Sequence, residues 1–280
     1  MTSIENWSLN RIVDTNRYPL FDLTSTVGNA LVTQCRAEFR DEVCCVLPGF
    51  VRPEAVETMV TSVEDKERWA HRRRQYKSAY SPYKPIHGEE VTTLDSDDPH
   101  FVPLLRDVHF LGYDEFDNDS VLRRLYEAPE LSAFAAAVLD VPELFQAADP
   151  LMSAPVSLHY ENSELGWHCD TQEFTITVMF RPSESGGNFQ YFPDAGPRDR
   201  NFDQVPNLLT GDETGVRNVQ FDAGTVILFR GANTLHRVTR THGNRPRILS
   251  IFHLERTPGR IYDDQFKLDT FGRTSSASRH

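Results

Sequence analysis

The chain has 280 residues, 29 basic against 41 acidic, and a net charge of −12 at pH 7, a balance that argues against a nucleic-acid surface and reads as a device for solubility. Hydrophobic residues at 39% and aromatics at 11% suffice for a core. No apolar run reaches the ~18 residues of a membrane helix, and no charged start followed by an apolar stretch marks a secretory signal.

The predicted elements begin with a helix over 26–39 and a strand over 42–47 (Glu-Val-Cys-Cys-Val-Leu), stopped by Pro48-Gly49. Adjacent Cys44 and Cys45 point to opposite faces of that strand. With Cys35 and Cys169 they are expected as buried thiols, not disulfides, which suits the cytoplasm. Pro53 suits the first turn of a second helix, expected to run to about Arg72. The basic run Arg68-Trp69-Ala70-His71-Arg72-Arg73-Arg74 then lies at a helix C-terminus, where cations meet the negative end of the dipole, as a solvated face and not a nucleic-acid patch. Residues 77–103 carry Pro82, Pro85, Gly88, Pro99 and Pro103 and read as a long loop over a site. Residues 118–126 and 129–139 read as helices, the latter with Leu131, Phe134, Ala135 and Val138 on one face.

Beyond residue 150 the pattern changes to strands. His159 falls in an apolar strand, as His253 does later, and both are expected as satisfied core histidines; Tyr160 is placed either to pack or to bond a co-substrate. The stretch Gly166-Trp167-His168-Cys169-Asp170 follows. Residues i and i+2 of a strand share a face, so His168 and Asp170 aim at one point while Cys169 points away. Residues 174–181 alternate Phe174, Ile176, Val178 and Phe180 with Thr175, Thr177, Met179 and Arg181, a half-buried strand. A turn at 182–187 ends in Gly186-Gly187. Further strands are expected over 188–192, 216–221, 225–230 and 247–254, with 201–215 as an insertion near a pocket mouth. His236 comes just after the fourth of these five strands.

Two imidazoles and one carboxylate can take one face of an octahedral metal and leave the opposite face open, the ligand set of non-haem Fe(II) oxygenases. A structural zinc site is closed by four ligands, commonly thiolates. The order His-x-Asp, strand, Gly-Gly turn, strand, Gly224-Thr225-Val226-Ile227-Leu228-Phe229, His236, then an arginine resembles the Fe(II)/2-oxoglutarate-dependent oxygenases over roughly 152–254. Within that superfamily Glu164-Leu165-Gly166-Trp167-His168-Cys169-Asp170, with Phe174, looks most like a small group acting on free amino acids: lysine hydroxylases, radical halogenases and aziridine-forming enzymes.

The resemblance implies a mainly β fold with flanking helices, built on a double-stranded β-helix, or jelly-roll, of two antiparallel sheets. One catalytic domain is expected over 1–280, with supporting structure in 1–150, the jelly-roll core in 151–256 and a C-terminal extension in 257–280, whose tail from 274 is expected to be disordered. It implies Fe(II) on His168, Asp170 and His236, with 2-oxoglutarate and O₂ as co-substrates. The distal carboxylate of 2-oxoglutarate calls for a cation, and a guanidinium fork suits it. Arg247, opening the last apolar strand, is the first candidate and Arg245 the second. Relatives that carry Arg-x-Ser differ from Arg247-Ile248-Leu249-Ser250, so no second donor is assigned. The halogenases resembled here replace the carboxylate ligand with glycine or alanine; this chain keeps Asp170, which implies hydroxylation, oxidative cyclisation or desaturation of a small substrate, an amino acid or derivative. No nucleic-acid or membrane partner is expected. The alternative is a non-catalytic or cupin-type metal-binding jelly-roll, the latter usually with extra histidines and a glutamate near the first.

Overall fold

The structure, a computed structural model, describes residues 7–81, 97–193 and 202–277. Its strands in chain order are β1 Cys44–Leu47, β2 His71–Lys77, β3 Leu104–Leu111, β4 Phe145–Gln146, β5 Val156–His159, β6 Leu165–His168, β7 Thr175–Arg181, β8 Ser185–Gly186, β9 Phe189–Tyr191, β10 Arg217–Val219, β11 Val226–Phe229, β12 His236–Val238, β13 Thr241–His242, β14 Arg247–Phe252 and β15 Leu254–Glu255. Ten of them follow one antiparallel path, β1-β11-β7-β14-β5-β3-β6-β12-β9-β10, and β2 branches off β3. The sheet curls, so that side chains from β5, β7, β11 and β14 and from β6, β9 and β12 line one cavity. This is the jelly-roll core the sequence predicts.

Strand parity explains how the sheet divides its two faces. On β7, Ile176, Val178 and Phe180 pack outward with Val226, Leu228, Ile248 and Phe252. Against them lie helices Thr26–Asp41, Pro53–Lys66, Val121–Tyr126 and Pro129–Leu139, through Phe39, Met59, Val63, Leu122 and Phe134. Thr175 and Thr177, on the opposite face, meet the cavity. The polar face of β7 is therefore not a solvent face. Helix Thr26–Asp41 is capped by Ser25, whose hydroxyl accepts from the Gly28 amide at 3.1 Å, and Pro53 opens helix Pro53–Lys66 at its first turn.

Three expectations are corrected. The second helix ends at Lys66, not Arg72; a 3-10 turn Glu67–Trp69 follows, and β2 begins at His71. The basic run is thus strand, paired with β3 from His71 opposite Phe110 to Lys77 opposite Leu104. Arg72 faces outward to Asp107 at 2.6 Å, with Arg74 at 3.7 Å. The loop expected over 77–103 lies partly outside the described residues, and its end leads into β3, which the sequence reading had not assigned. Finally, part of the expected disordered tail is tied down: Arg273 forks onto Asp114 at 2.8 Å and the Ala277 amide donates to the same carboxylate at 2.9 Å. No helix among the described residues is long and apolar enough to cross a membrane.

Candidate metal centre and its cavity

Strand β6 ends on His168 and β12 starts on His236, and the antiparallel register sets the two opposite each other with ring centroids 4.2 Å apart. Asp170 follows two residues after His168, and its amide donates to the Gly231 carbonyl at 3.0 Å. Its Oδ1 stands 3.4 Å from His236 Nε2 and 3.8 Å from His168 Nε2. The three residues each offer one ligand atom, all within 4.8 Å of one another, and no other such group is found among the described residues. The backbone orients both rings alike: His168 Nδ1 bonds the Gly166 carbonyl at 2.8 Å and His236 Nδ1 the Thr234 carbonyl at 2.9 Å. Each Nδ1 is thereby assigned the proton, and each Nε2 lone pair is left toward the shared centre.

Gly231 makes room for the carboxylate. A Cβ there would lie 2.1 Å from Asp170 Oδ2 and 2.8 Å from Cγ, so any side chain at 231 displaces the carboxylate. Burial, then the charges of His236 and Arg106, hold the His168 imidazole well below its usual range, in the neutral form a metal takes. Burial alone would raise the Asp170 carboxyl; the neighbouring imidazoles outweigh it and bring it down to about 2.

Arg247 opens β14 with its side chain 1% exposed. It lines the same cavity as the triad, and its Nη1 has no hydrogen-bond partner. Its guanidinium lies 5.8 Å from the Phe221 ring, and burial pulls it down to about 9. A guanidinium keeps its proton, so this is a buried cation without a counter-ion among the described residues. Arg245 is 70% exposed and 3.9 Å from Glu184, outside the cavity. Ser250 faces the other side of β14 and bonds the Pro155 carbonyl at 3.0 Å. Ser157 and His159, on the neighbouring strand β5, line the cavity with Ser157 Oγ and His159 Nδ1 unpartnered. His159 is therefore not the satisfied core histidine expected. The donor set fits the groups implied: one hard-to-intermediate divalent ion on two nitrogens and a carboxylate, and a carboxylate on Arg247.

The cavity measures about 360 Å³, a volume typical of small-molecule sites. Three further side chains divide between the cavity and its surroundings. Tyr160 bonds Glu67 at 2.7 Å and does not line the cavity. His242 pairs with Glu161 at 3.1 Å on the surface. His253 lines the cavity with its Nδ1 bonded to the Met152 carbonyl. Residues 202–209, from the expected insertion, pack through Phe202, Val205 and Leu208 against Trp167, Cys169 and Leu235, and Cys169 also lines the cavity. The sequence reading missed Arg73, Gln75 and Lys77 of β2, Arg106, Val108 and Phe110 of β3, and Phe266 and Thr270 of helix Asp264–Phe271, all of which line the cavity. No local pattern marks β2 as a strand; once it pairs with β3, the even spacing 73-75-77 and 106-108-110 sets each trio on one face.

The family model described as Halogenase D matches residues 106–256, just over half of the chain. A search of curated proteins finds no matching sequence. Among solved structures, the epimerase SnoN from nogalamycin biosynthesis is 14% identical at a TM-score of 0.54, with 80% of each chain covered. HygX from Streptomyces hygroscopicus, solved with nickel, 2-oxoglutarate and hygromycin B, is 16% identical at a TM-score of 0.53, over 80% of this chain and 87% of its own. An oxidoreductase of the 2OG-Fe(II) oxygenase family from Burkholderia pseudomallei is 14% identical at 0.51, over 81% and 92%. The chain belongs to the Halogenase D family and carries the fold of the 2-oxoglutarate–Fe(II) oxygenases.

Proposed function

We propose that this chain is a cytoplasmic 2-oxoglutarate-dependent non-haem iron oxygenase that hydroxylates, oxidatively cyclises or desaturates an aliphatic C–H bond of a small substrate, a free amino acid or a derivative. The observation that carries this reading is that an open three-ligand cluster and a buried arginine without an anion face one cavity. His168, Asp170 and His236 would hold the iron, and Arg247 the distal carboxylate of 2-oxoglutarate. Iron so held, with 2-oxoglutarate and O₂, supplies an oxidant of unactivated C–H bonds as the co-substrate becomes succinate and CO₂. The chain's own work is positional. Two backbone carbonyls fix the imidazole rings, Gly231 seats the Asp170 carboxylate, and Ile227, Phe229, Leu249 and Ile251 wall the cavity with apolar surface that excludes water. The four free cysteines, all buried, agree with a reducing compartment.

The family's name raises chlorination as the competing outcome. A halide needs the ligand position that a carboxylate fills, and here Asp170 lies within 4 Å of both imidazoles, with a glycine beside it making the space. That favours oxygen insertion or dehydrogenation. Anaerobic addition of Fe(II) and 2-oxoglutarate should give a weak visible charge-transfer band, absent from His236→Ala. Product mass spectrometry in chloride buffer should find no chlorine. A chlorinated wild-type product would remove Asp170 from the ligand set, and a missing band would sink the oxygenase reading.

A further inference from the structure

Strands β2 and β3 place three cations on the cavity wall: Arg73 and Lys77 from β2 and Arg106 from β3. Parity aims them inward, since 73, 75 and 77 alternate with exposed 72, 74 and 76, and Gln75 sits opposite Arg106. None of the three forms an ion pair among the described residues. Arg106 Nε is buried without a hydrogen-bond partner, and its Nη2 reaches only the Ser78 carbonyl at 3.3 Å. The groups that touch Arg73 are neutral: the Gln75 carbonyl at 2.6 and 2.8 Å once that amide is turned to face it, the Phe266 ring at 5.2 Å and Thr270 Oγ1 at 3.5 Å, while Asp269 acts on it only from beyond ion-pair distance. Asp170 is the single acid among the described cavity-lining residues.

The charges decide what this wall can bind. A divalent metal with Asp170, and a dianionic co-substrate with Arg247, cancel one another. Arg73, Lys77 and Arg106 are then left over. We propose, resting on the function argued above, that the substrate is a small molecule with two anionic groups, held by Arg73, Lys77 and Arg106, and that amino acids with basic or neutral side chains are rejected. A side-chain ammonium would enter a wall of like charge with no described carboxylate to receive it, whereas each acidic group gains charge-assisted bonds in a half-buried site. The second acidic group is a carboxylate or a phosphate; both match a guanidinium fork.

The cations also strain one another, which is the mark of a site built for an anion. Burial first, then Arg73, brings Arg106 down to about 10. Burial first, then Arg73 and Arg106, lowers Lys77, and only Asp269, on the C-terminal helix, pulls it the other way.

The test is equilibrium binding to the full chain, loaded anaerobically with Fe(II) and saturated with 2-oxoglutarate so that the Arg247 site is filled. The probes are L-aspartate, L-glutamate, O-phospho-L-serine, L-leucine and L-lysine, read by calorimetry. We expect a probe with two anionic groups to bind roughly tenfold or more tighter than leucine or lysine, and Lys77→Met and Arg73→Met each to weaken it by about tenfold. Lys77→Glu should move the preference toward lysine, a gain that misfolding cannot produce. Glutamate or aspartate against phosphoserine identifies the second group. Tighter binding of lysine or leucine, no saturable binding of aspartate, glutamate or phosphoserine, or unchanged affinity in both methionine variants overturns the proposal. The 2-oxoglutarate titration made while loading reads the co-substrate assignment separately: if that fails, the oxygenase reading fails whatever the probes do.

Discussion

At the scale of single residues the site depends on two groups that do no chemistry themselves. Gly231 is needed because Asp170 occupies the space of its missing side chain. Gly231→Ala should weaken Fe(II) or Ni(II) binding by about 10–100-fold, the range seen when the support of a ligand is disturbed. Calorimetric titration measures it, and wild-type affinity in a folded variant would show that the carboxylate is seated by something else. Arg247 is the second group. On the proposed assignment, Arg247→Leu removes a charge-assisted contact contributing roughly 1.5–3 kcal/mol, so the 2-oxoglutarate requirement should rise at least about tenfold, with Arg245→Leu unchanged. Because Arg247 is buried with an unpartnered nitrogen, the same variant should melt at a higher temperature in the absence of ligand. A lowered melting point with an unaltered 2-oxoglutarate requirement would mark Arg247 as a structural cation.

Among elements, legibility follows hydrophobic alternation. Strands β7 and β11 carry apolar side chains on the helix-facing side at period two, and β14 does so apart from Ser250, so all three were legible in the sequence. The approach of His168 to Asp170 was legible because the two lie within two residues at a strand end, and the place of Arg247 on the cavity wall because it leads an apolar strand. Strand β2 was not legible: its inward residues are Arg73, Gln75 and Lys77 and its outward ones Arg72, Arg74 and Tyr76, so neither face is apolar. Pairing with β3 makes it a strand, a tertiary effect that local propensity does not carry. The C-terminal helix escaped for a related reason. What holds it is a polar contact across the fold: Asp149, 0% exposed, accepts from the Leu151 and Met152 amides at 2.9 and 3.0 Å and from the Tyr262 amide at 3.0 Å, with Lys267 3.6 Å away. Asp149→Ala leaves three buried amides without their acceptor and Lys267 with Asp264 alone, 2.9 Å away, and should cost about 3–5 kcal/mol of stability. Urea denaturation checks this, and a loss below about 1 kcal/mol would show that the segment docks by its apolar contacts alone.

The whole molecule sets an acidic chain around a basic cavity: the net charge is −12, yet the described wall holds four cations and one acid. Global charge, taken from the sequence as a matter of solubility, says nothing about the pocket and has the opposite sign to it. The site is also assembled from more of the chain than the family match covers. Residues 106–256 hold the metal cluster and Arg247, but Arg73, Lys77, Phe266 and Thr270 come from either side of that span. Ending the chain at Glu255 should therefore separate two properties. It removes Tyr262, Lys267 and Phe271, uncovers Ala147, Leu151 and Met152, and leaves Asp149 without its ammonium partner, so the melting temperature should fall. It also takes Phe266 and Thr270 from beside Arg73 and opens the cavity wall. The triad and Arg247 keep their strands, so the folded fraction should still give the Fe(II)–2-oxoglutarate band. Substrate should no longer accelerate 2-oxoglutarate consumption, because the wall that positions it and excludes water is incomplete. A shortened chain that melts like the full one and stays coupled to substrate would make the C-terminal segment an appendage and not a wall of the site.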